Sequence, residues 1–220
     1  MRIITRLRNP SLLSLTIAAS LFGLSPTVRA DEENLAGKFY FSASLGGSWI
    51  GSTTLTSADS FLNSGRVRFT PGGRLDAGFG YHLTEWLAAE LETGIAINFT
   101  DRVEDNGSSG DGLGFYQLPL LANVVFRLPT HSRFKPFIGA GVGGVLTQLD
   151  DSNLFYSHSD EDFGFAWQGF AGVRYELNST VELGLVYKCL GTTERSFGSF
   201  SVRMEGTDTQ SLSVSVSVKF

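Results

Sequence analysis

Apolar and polar residues alternate strictly near the end of the chain. From Leu212 onward every even position is apolar, ending at Phe220, and the positions between them are serine or lysine. Successive side chains of a strand point to opposite faces, so residues 209–220 are predicted to form one strand with an apolar face and a serine-rich face. Such a strand can belong to a membrane β-barrel or to a soluble protein, and this stretch alone does not distinguish between the two.

Similar amphipathic stretches recur through the chain beyond residue 30. Together they predict eight strands, at 38–50, 72–83, 86–99, 114–127, 134–147, 163–176, 180–190 and 209–220. The second, fourth and sixth strands are followed by short connections, whereas the other connections run to roughly a dozen to twenty residues. Short turns at one end and long loops at the other are typical of an eight-stranded antiparallel up-and-down transmembrane β-barrel, with both chain ends on the periplasmic side.

Charged residues within the predicted strands fall on the less apolar face, which a membrane barrel turns inward. The predicted charged lining of the interior comprises Arg74, Asp76, Glu90, Glu92, Arg127, Arg174, Glu176, Glu182 and Lys188. Distances from the turns put Arg127, Arg174, Glu176 and Glu182 near the periplasmic end and the others near mid-height. Because eight strands enclose little more than their own side chains, and an unpaired buried charge is costly, we expect two charged layers that close the barrel.

Two local details carry expectations of their own. A three-residue turn at 177–179 would place Arg174 directly opposite Glu182, whereas moving the turn on by one residue would oppose Glu176 and Glu182. Like charges directly opposite are destabilising, so the sequence favours the Arg174–Glu182 pair. In the fourth strand, Pro119 lacks the N–H that a strand interior needs and predicts a bulge.

The first thirty residues have the pattern of a signal peptide. Arg2, Arg6 and Arg8 precede an apolar run at 12–24, which is shorter than the ~20 residues of a membrane-spanning helix. The sequence therefore predicts that residues 1–30 are a cleaved signal peptide and residues 31–220 an exported barrel domain, with an uncleaved anchor as the less favoured alternative. Cleavage changes the net charge from -5 to -9, because 13 Lys and Arg remain against 22 Asp and Glu. So acidic a chain is a poor candidate for nucleic-acid binding.

Two stretches resemble the OmpA-like outer-membrane β-barrel domain family. Residues 135–143 read K-P-F-I-G-A-G-V-G, similar to that family's K-P-(Y/F)-x-G-x-G-x-G, and residues 167–177 are similar to its W-x-x-x-A-G-V-x-Y-x-L. The terminal Phe220 after an alternating strand also resembles the family. The resemblance implies a place in the bacterial outer membrane, contact with its lipid and lipopolysaccharide, and recognition of Phe220 by the barrel assembly machinery. The family's peptidoglycan-binding domain does not follow the eighth strand, so a cell-wall tether is not expected.

A soluble lipocalin is the main rival fold, because Gly47-Ser48-Trp49 matches that family's G-x-W. Lipocalins are also eight-stranded barrels, but they hold their apolar side chains inside. That orientation would turn every aliphatic row inward and would leave the alternation of short and long connections unexplained.

Candidates for catalysis are few. A lipid A-modifying barrel enzyme would need a nucleophile, a base and a carboxylate close together at the outer rim. The residues that fit this pattern are His158, Ser159, Asp160, Glu161 and Asp162. His82 and His131 belong near the opposite end, Cys189 is the single cysteine, and no Cys/His metal spacing or phosphate-binding glycine loop is present. We therefore expect no catalytic residue, cofactor or metal site.

The predicted long loops are acidic and polar. Their carboxylates, among them Asp105, Asp111 and Asp151, could bind Ca²⁺ or Mg²⁺ that bridges to lipopolysaccharide, but solvated loops are favoured. The sequence predicts a monomeric outer-membrane barrel with a structural or surface-interaction role, such as adhesion or envelope integrity, through its four long loops and a possible extracellular ligand. A small porin-like channel is the alternative, and a lipid A-modifying enzyme is less favoured.

Overall fold

A computed structural model describes residues 35–51, 53–57, 65–104, 114–150, 159–193, 195–197, 202–204 and 206–220. The predicted signal peptide lies outside these residues. Within them no helix is long and apolar enough to cross a membrane. The structure consists of strands β1 Phe39–Ile50, β2 Thr53–Ser57, β3 Gly65–His82, β4 Leu87–Glu104, β5 Gly114–Arg127, β6 Phe134–Asp150, β7 Ser159–Glu176, β8 Val181–Thr192, β9 Arg195–Phe197, β10 Val202–Met204 and β11 Asp208–Lys219.

Eight long strands form a closed antiparallel barrel. They follow the order β1, β3, β4, β5, β6, β7, β8, β11, and β1 pairs with both β3 and β11. The short strands β2, β10 and β9 extend the sheet from β3 on the long-loop side. The predicted fold class, an all-β eight-stranded up-and-down barrel, is confirmed.

The stagger between strands fixes their tilt in the barrel. Starting from Phe39, successive backbone pairs run once around the barrel and return to β1 at Trp49, ten residues further on. At about 3.3 Å per residue and about 4.8 Å between neighbouring strands, this stagger over eight strands corresponds to a tilt of about 40° from the barrel axis. Strands of outer-membrane barrels are tilted by a similar angle.

The two faces of the strands are divided as the alternation predicts. Large apolar side chains on the outer face are exposed, among them Leu45 at 66%, Leu120 at 62% and Val214 at 63%. The inner face buries polar and charged residues, including Arg74 at 1% and Glu182 at 1%. This inside-out arrangement excludes the lipocalin alternative, which requires an apolar interior.

At the short turns the strands begin and end within one residue of the predicted bounds, but several strands continue further at the other end. Thus β3 begins at Gly65 rather than at residue 72, β4 ends at Glu104 rather than at 99, and β7 begins at Ser159 rather than at 163. Beyond the apolar band an outward side chain need not be apolar, so the alternation disappears while backbone pairing continues. Periodicity alone therefore underestimates these strands.

The predicted bulge at Pro119 is wrong. Pairing between β4 and β5 is interrupted between Leu120 and Gln117 but resumes in the same register. The absent N–H of Pro119 leaves a gap in the ladder without adding a residue, and Thr93 Oγ1 donates to the Pro119 carbonyl oxygen at 3.0 Å. The register does shift in β3, between Thr70 and Gly73.

The predicted register of the β7–β8 hairpin is also wrong. Arg174 lies opposite Gly184, and Glu176 lies directly opposite Glu182. The turn sets this register, because Asn178 Oδ1 accepts hydrogen bonds from the backbone N–H groups of Thr180 at 2.9 Å and Val181 at 2.8 Å. A side-chain cap in the turn thus outweighs the repulsion between two carboxylates, provided that cations lie close to both.

Candidate functional site

The barrel interior brings together all nine charged residues predicted to face it. Eight of them are buried, and the side chain of Glu176 is 17% exposed. They divide into two groups at different heights. We call Arg74, Asp76, Glu90, Glu92 and Lys188 the mid-height network. We call Arg127, Arg174, Glu176 and Glu182, together with Lys135 and Lys219, the rim network.

The mid-height network is organised by two cations that share two carboxylates. Arg74 Nε donates to Asp76 Oδ1 at 2.8 Å, and Arg74 Nη2 donates to Glu92 Oε1 at 3.3 Å. Lys188 Nζ, from the opposite wall, donates to Asp76 Oδ2 at 2.9 Å and to Glu92 Oε1 at 2.7 Å. Strands β3, β4 and β8 are therefore linked across the lumen by charge-assisted hydrogen bonds.

Amide side chains extend this network across β5 and β7. Asn123 Nδ2 donates to Glu92 Oε2 at 3.1 Å and to Glu90 Oε1 at 3.3 Å. Gln168 Nε2 donates to Asn123 Oδ1 at 2.9 Å, and its own carbonyl oxygen accepts a bond from Arg74 Nη2 at 3.4 Å. Seven hydrogen-bonding side chains thus span the lumen at one level.

The rim network explains why two glutamates tolerate facing each other. Arg127 Nη2 donates to Glu176 Oε1 and to Glu182 Oε1, each at 2.7 Å. Lys219 Nζ lies 3.4 Å from Glu182 Oε1 and 3.7 Å from Glu176 Oε1. The favoured partner, Arg174 Nη1, is 4.0 Å from Glu182 Oε2. Arg127 is therefore the central cation of the rim, and Arg174 is a weaker partner.

Two interior cations are missing from the predicted lining. Lys135 Nζ lies 3.6 Å from Glu176 Oε2, and the side chain of Lys219 is 2% exposed. The alternation of 209–220 places Lys219 on the serine face, so the signal for it was present in the sequence. With these two residues, the interior side chains that the structure describes include six cations and five anions, where the sequence predicted four and five.

Apolar layers separate and cover the charged networks. Tyr40, Ala88, Val125, Phe137, Phe170 and Val186 form one buried cluster. The guanidinium of Arg174 lies over the rings of Phe137, at 4.5 Å, and Tyr40, at 5.5 Å. A Cβ at Gly139 would overlap the Phe170 ring, so the absence of a side chain at this position makes room for the cluster.

A second buried cluster lies on the long-loop side of the mid-height network. It contains Leu121, Val145, Ala166 and Leu190, which we call the outer apolar layer. Leu121 and Leu190 are the next inward residues after Asn123 and Lys188 toward the long loops. The interior therefore alternates between charged and apolar layers from the periplasmic rim outward.

Other candidate residues do not form a second site among the described residues. His82 is buried beside Tyr40, with ring centroids 4.9 Å apart, and His131 lies in a periplasmic turn. Of the predicted catalytic group, His158 lies outside the described residues. Cys189 is half-buried. Within the described ranges, no group of three or more His, Cys, Asp or Glu could hold a metal ion. The predicted loop carboxylates Asp105, Asp111 and Asp151 lie outside the described residues.

Comparisons with known proteins agree with this architecture. A family model for the outer membrane protein beta-barrel domain matches residues 14–220. The structure is similar to the crystal structure of Neisserial surface protein A, with 18% identity and a TM-score of 0.55, covering 83% of this chain and 97% of that one.

Two further solved structures are similar. One is the outer membrane protein OprG from Pseudomonas aeruginosa, with 15% identity and a TM-score of 0.59, covering 86% of this chain and 98% of that one. The other is the outer membrane protein AlkL in lipid bilayers, with 18% identity and a TM-score of 0.52, covering 90% and 95%. At these levels of sequence identity, the comparisons show a similar fold and nothing further. No curated protein sequence matches the chain.

Proposed function

The chain belongs to the outer membrane protein beta-barrel domain family, and on this premise we propose that it is a closed, non-conducting barrel with a structural or surface-interaction role. Its place is the bacterial outer membrane. The observation that carries the proposal is the sequence of layers in the interior, where two ion-pair networks alternate with two apolar clusters. The proposed role involves no catalytic activity.

A closed interior follows from the energetics of these layers. An ion crossing the lumen would have to break buried charge pairs, and removing one partner of such a pair costs about 3–5 kcal/mol. It would then meet the outer apolar layer, where a narrow apolar constriction excludes water. On its long-loop side, Thr209 Oγ1 donates to Gln117 Oε1 at 2.8 Å, which narrows the same path.

The surface role is supported by the asymmetry of the barrel. The periplasmic connections are turns of a few residues, whereas β3, β4, β6 and β7 continue beyond their predicted ends on the opposite side. Loops that a rigid barrel presents in this way are where binding residues concentrate in proteins. Lipopolysaccharide, the assembly machinery and an extracellular ligand at the loops are the partners that this role implies.

Single-channel recording tests the closed interior. The folded protein, inserted into a planar bilayer and verified by its altered gel migration before boiling, should show no steady conductance. The double variant Leu121→Ser, Leu190→Ser, which keeps both charged networks, should leak more ions if the outer apolar layer contributes to the seal. A large, steady conductance from the unmodified protein would refute the proposal and make a small channel the leading function.

Loop replacement separates a surface role from a structural one. Cells carrying a variant with 105–113 and 151–158 replaced by Gly and Ser of equal length should assemble the barrel normally but attach less to immobilised glycans and matrix proteins. Sensitivity of the same cells to detergents reports envelope integrity. If the replaced loops change neither attachment nor detergent sensitivity, while loss of the whole protein raises detergent sensitivity, the role is structural only.

A further inference from the structure

The outer face of the barrel carries a polar side chain at its long-loop end. Gln210 points outward from β11, and its Oε1 accepts hydrogen bonds from Trp49 Nε1 at 3.0 Å and from Tyr187 Oη at 2.7 Å. Because an indole N–H can only donate, the oxygen of the amide must face Trp49 and the nitrogen must point away from it. Gln210 therefore presents its Nε2 donor at the surface in a fixed orientation.

Trp167 and Asp208 lie beside this amide. Trp167, Gly191 and Asp208 are paired in one row across β7, β8 and β11. A Cβ at Gly191 would overlap the Trp167 indole, so the indole packs across the glycine while remaining 48% exposed. Asp208 is the next residue of the row and is exposed. Neighbouring strands are about 4.8 Å apart, so one sugar ring can reach both the indole and the carboxylate.

These three side chains have the chemistry that recognises sugars. One face of a sugar ring carries C–H groups that pack on an aromatic ring, and the hydroxyls around it both donate and accept hydrogen bonds. Trp167 supplies the ring, Asp208 an acceptor and Gln210 Nε2 a donor. Among the described outward-facing residues of β1, β7, β8 and β11, none is the Lys or Arg that phosphate groups prefer. The surface therefore favours neutral hydroxyls over phosphates.

The position of these residues indicates a ligand anchored in the membrane. The long loops of an outer-membrane barrel lie on the side of the outer leaflet, and Trp and Tyr collect where the lipid headgroups begin. Directly below Gln210, β11 continues outward with the exposed apolar residues Leu212 and Val214. Below Trp167, the position of Gly169 leaves open space on the surface. A lipid whose headgroup contacts Gln210 would therefore lay its acyl chains along an apolar wall.

We propose that Trp167, Asp208 and Gln210 bind the sugar headgroup of an outer-leaflet glycolipid. The indole packs against one face of the sugar, the Asp208 carboxylate accepts a hydrogen bond from a sugar hydroxyl, and Gln210 Nε2 donates one to a sugar oxygen. Trp49 and Tyr187 are positioning residues, because they orient the amide. The site rests on the proposed surface role and names a partner for it, but it does not depend on whether the barrel conducts.

Lipid retention tests the site. The unmodified barrel is mixed in detergent micelles with equal amounts of digalactosyl diacylglycerol and phosphatidylglycerol that carry the same acyl chains. Native mass spectrometry then counts the lipids that remain bound. The barrel should retain one glycolipid in preference to phosphatidylglycerol. Free digalactosyl glycerol should bind much more weakly, because it lacks the acyl chains that contact the apolar wall.

Variants at the two ends of the barrel form matched pairs. Asp208→Ala and Trp167→Leu should each lower the preference for the glycolipid roughly fivefold, as expected for one hydrogen bond or one aromatic contact. Gln210→Glu keeps the acceptor for Trp49 but removes the donor, and it should have a similar effect. Glu85→Ala and Trp86→Leu alter an exposed carboxylate and an exposed indole near the periplasmic end, and they should leave the preference unchanged.

Four results would overturn the proposal. The unmodified barrel could retain both lipids equally, or Trp167→Leu and Trp86→Leu could lower retention equally, as a general contact between aromatic residues and lipid would. A preference for phosphatidylglycerol would assign the surface to anionic headgroups. Free digalactosyl glycerol that binds as tightly as the intact lipid would make the ligand a soluble glycan. If a variant does not assemble, the comparison of ligands on the unmodified barrel still decides the question.

Discussion

Arg127 is the residue on which the rim network depends, and Arg127→Met is the sharpest test of the interior. Its Nη2 holds two carboxylates at 2.7 Å, and those carboxylates belong to residues that the hairpin register sets directly opposite each other. Methionine keeps much of the apolar stem and removes the charge. In the variant, Glu176 and Glu182 should therefore repel each other, because each carboxylate has lost the hydrogen bond from Arg127.

The expected cost follows from the geometry. Hydrogen bonds to charged groups contribute about 1.5–3 kcal/mol each, and removing one partner of a buried pair costs about 3–5 kcal/mol. Lys219 remains near both carboxylates, and the Glu176 side chain is 17% exposed, so part of the loss is compensated. We expect the free energy of unfolding to fall by about 3 kcal/mol. Adding Glu176→Gln to Arg127→Met should restore about 1 kcal/mol by removing the repulsion.

Reversible urea unfolding in lipid vesicles measures this change, with the emission of Trp49, Trp86 and Trp167 as the signal. Arg133→Met is the matched control, because Arg133 is exposed in a periplasmic turn, and its cost should stay within about 0.5 kcal/mol. If Arg127→Met costs less than about 1 kcal/mol, the rim behaves like a set of exposed ion pairs in water. The argument for a closed periplasmic end would then fail.

Three further variants probe other contacts. Arg174→Met should lower the free energy of unfolding by about 1–2 kcal/mol in the same assay, less than Arg127→Met does. Arg174 lies 4.0 Å from the Glu182 carboxylate and is stabilised mainly by the aromatic ring beneath its guanidinium. An equal cost for both variants would contradict this ranking. Asn178→Ala should lower stability by about 1 kcal/mol through loss of the turn cap, whereas the neighbouring Ser179→Ala should be neutral. Deleting Phe220, whose backbone pairs with Phe39 at 2.9 and 3.0 Å, should reduce the heat-modifiable barrel recovered from outer membranes, and undiminished recovery would exclude its role as an assembly signal.

The sequence was most informative where burial and alternation coincide. Within the apolar band, the outer face of each strand meets lipid, so a polar residue between two aliphatic residues must point into the interior. The inward placement of Glu90 and Lys188 could therefore be predicted. Features that depend on individual hydrogen bonds were not accessible in this way. The Asn178 turn shifts the register of the β7–β8 hairpin by one position on each strand. The prediction from charge failed because it considered only the repulsion between Glu176 and Glu182 and not the cations around them. The strands β2, β9 and β10 were missed because they are short and lie beyond the apolar band, where no alternation is required.

The charged interior calls for a reason other than stability, because replacing a buried ion pair with apolar residues of similar size is often neutral or stabilising. The alternation itself suggests one. A slip by one residue moves every side chain of a strand to the other face. If both faces were apolar, such a slip would place no polar group in lipid, and nothing would fix the register. With charges on the inner face, a one-residue slip of β3 would carry Arg74 and Asp76 to the lipid-facing side, where an arginine costs about 2–4 kcal/mol at mid-depth and an aspartate less. Every charged strand therefore has its own penalty against misalignment, and the pairs that Arg74 and Lys188 make across the lumen select one arrangement of the eight strands.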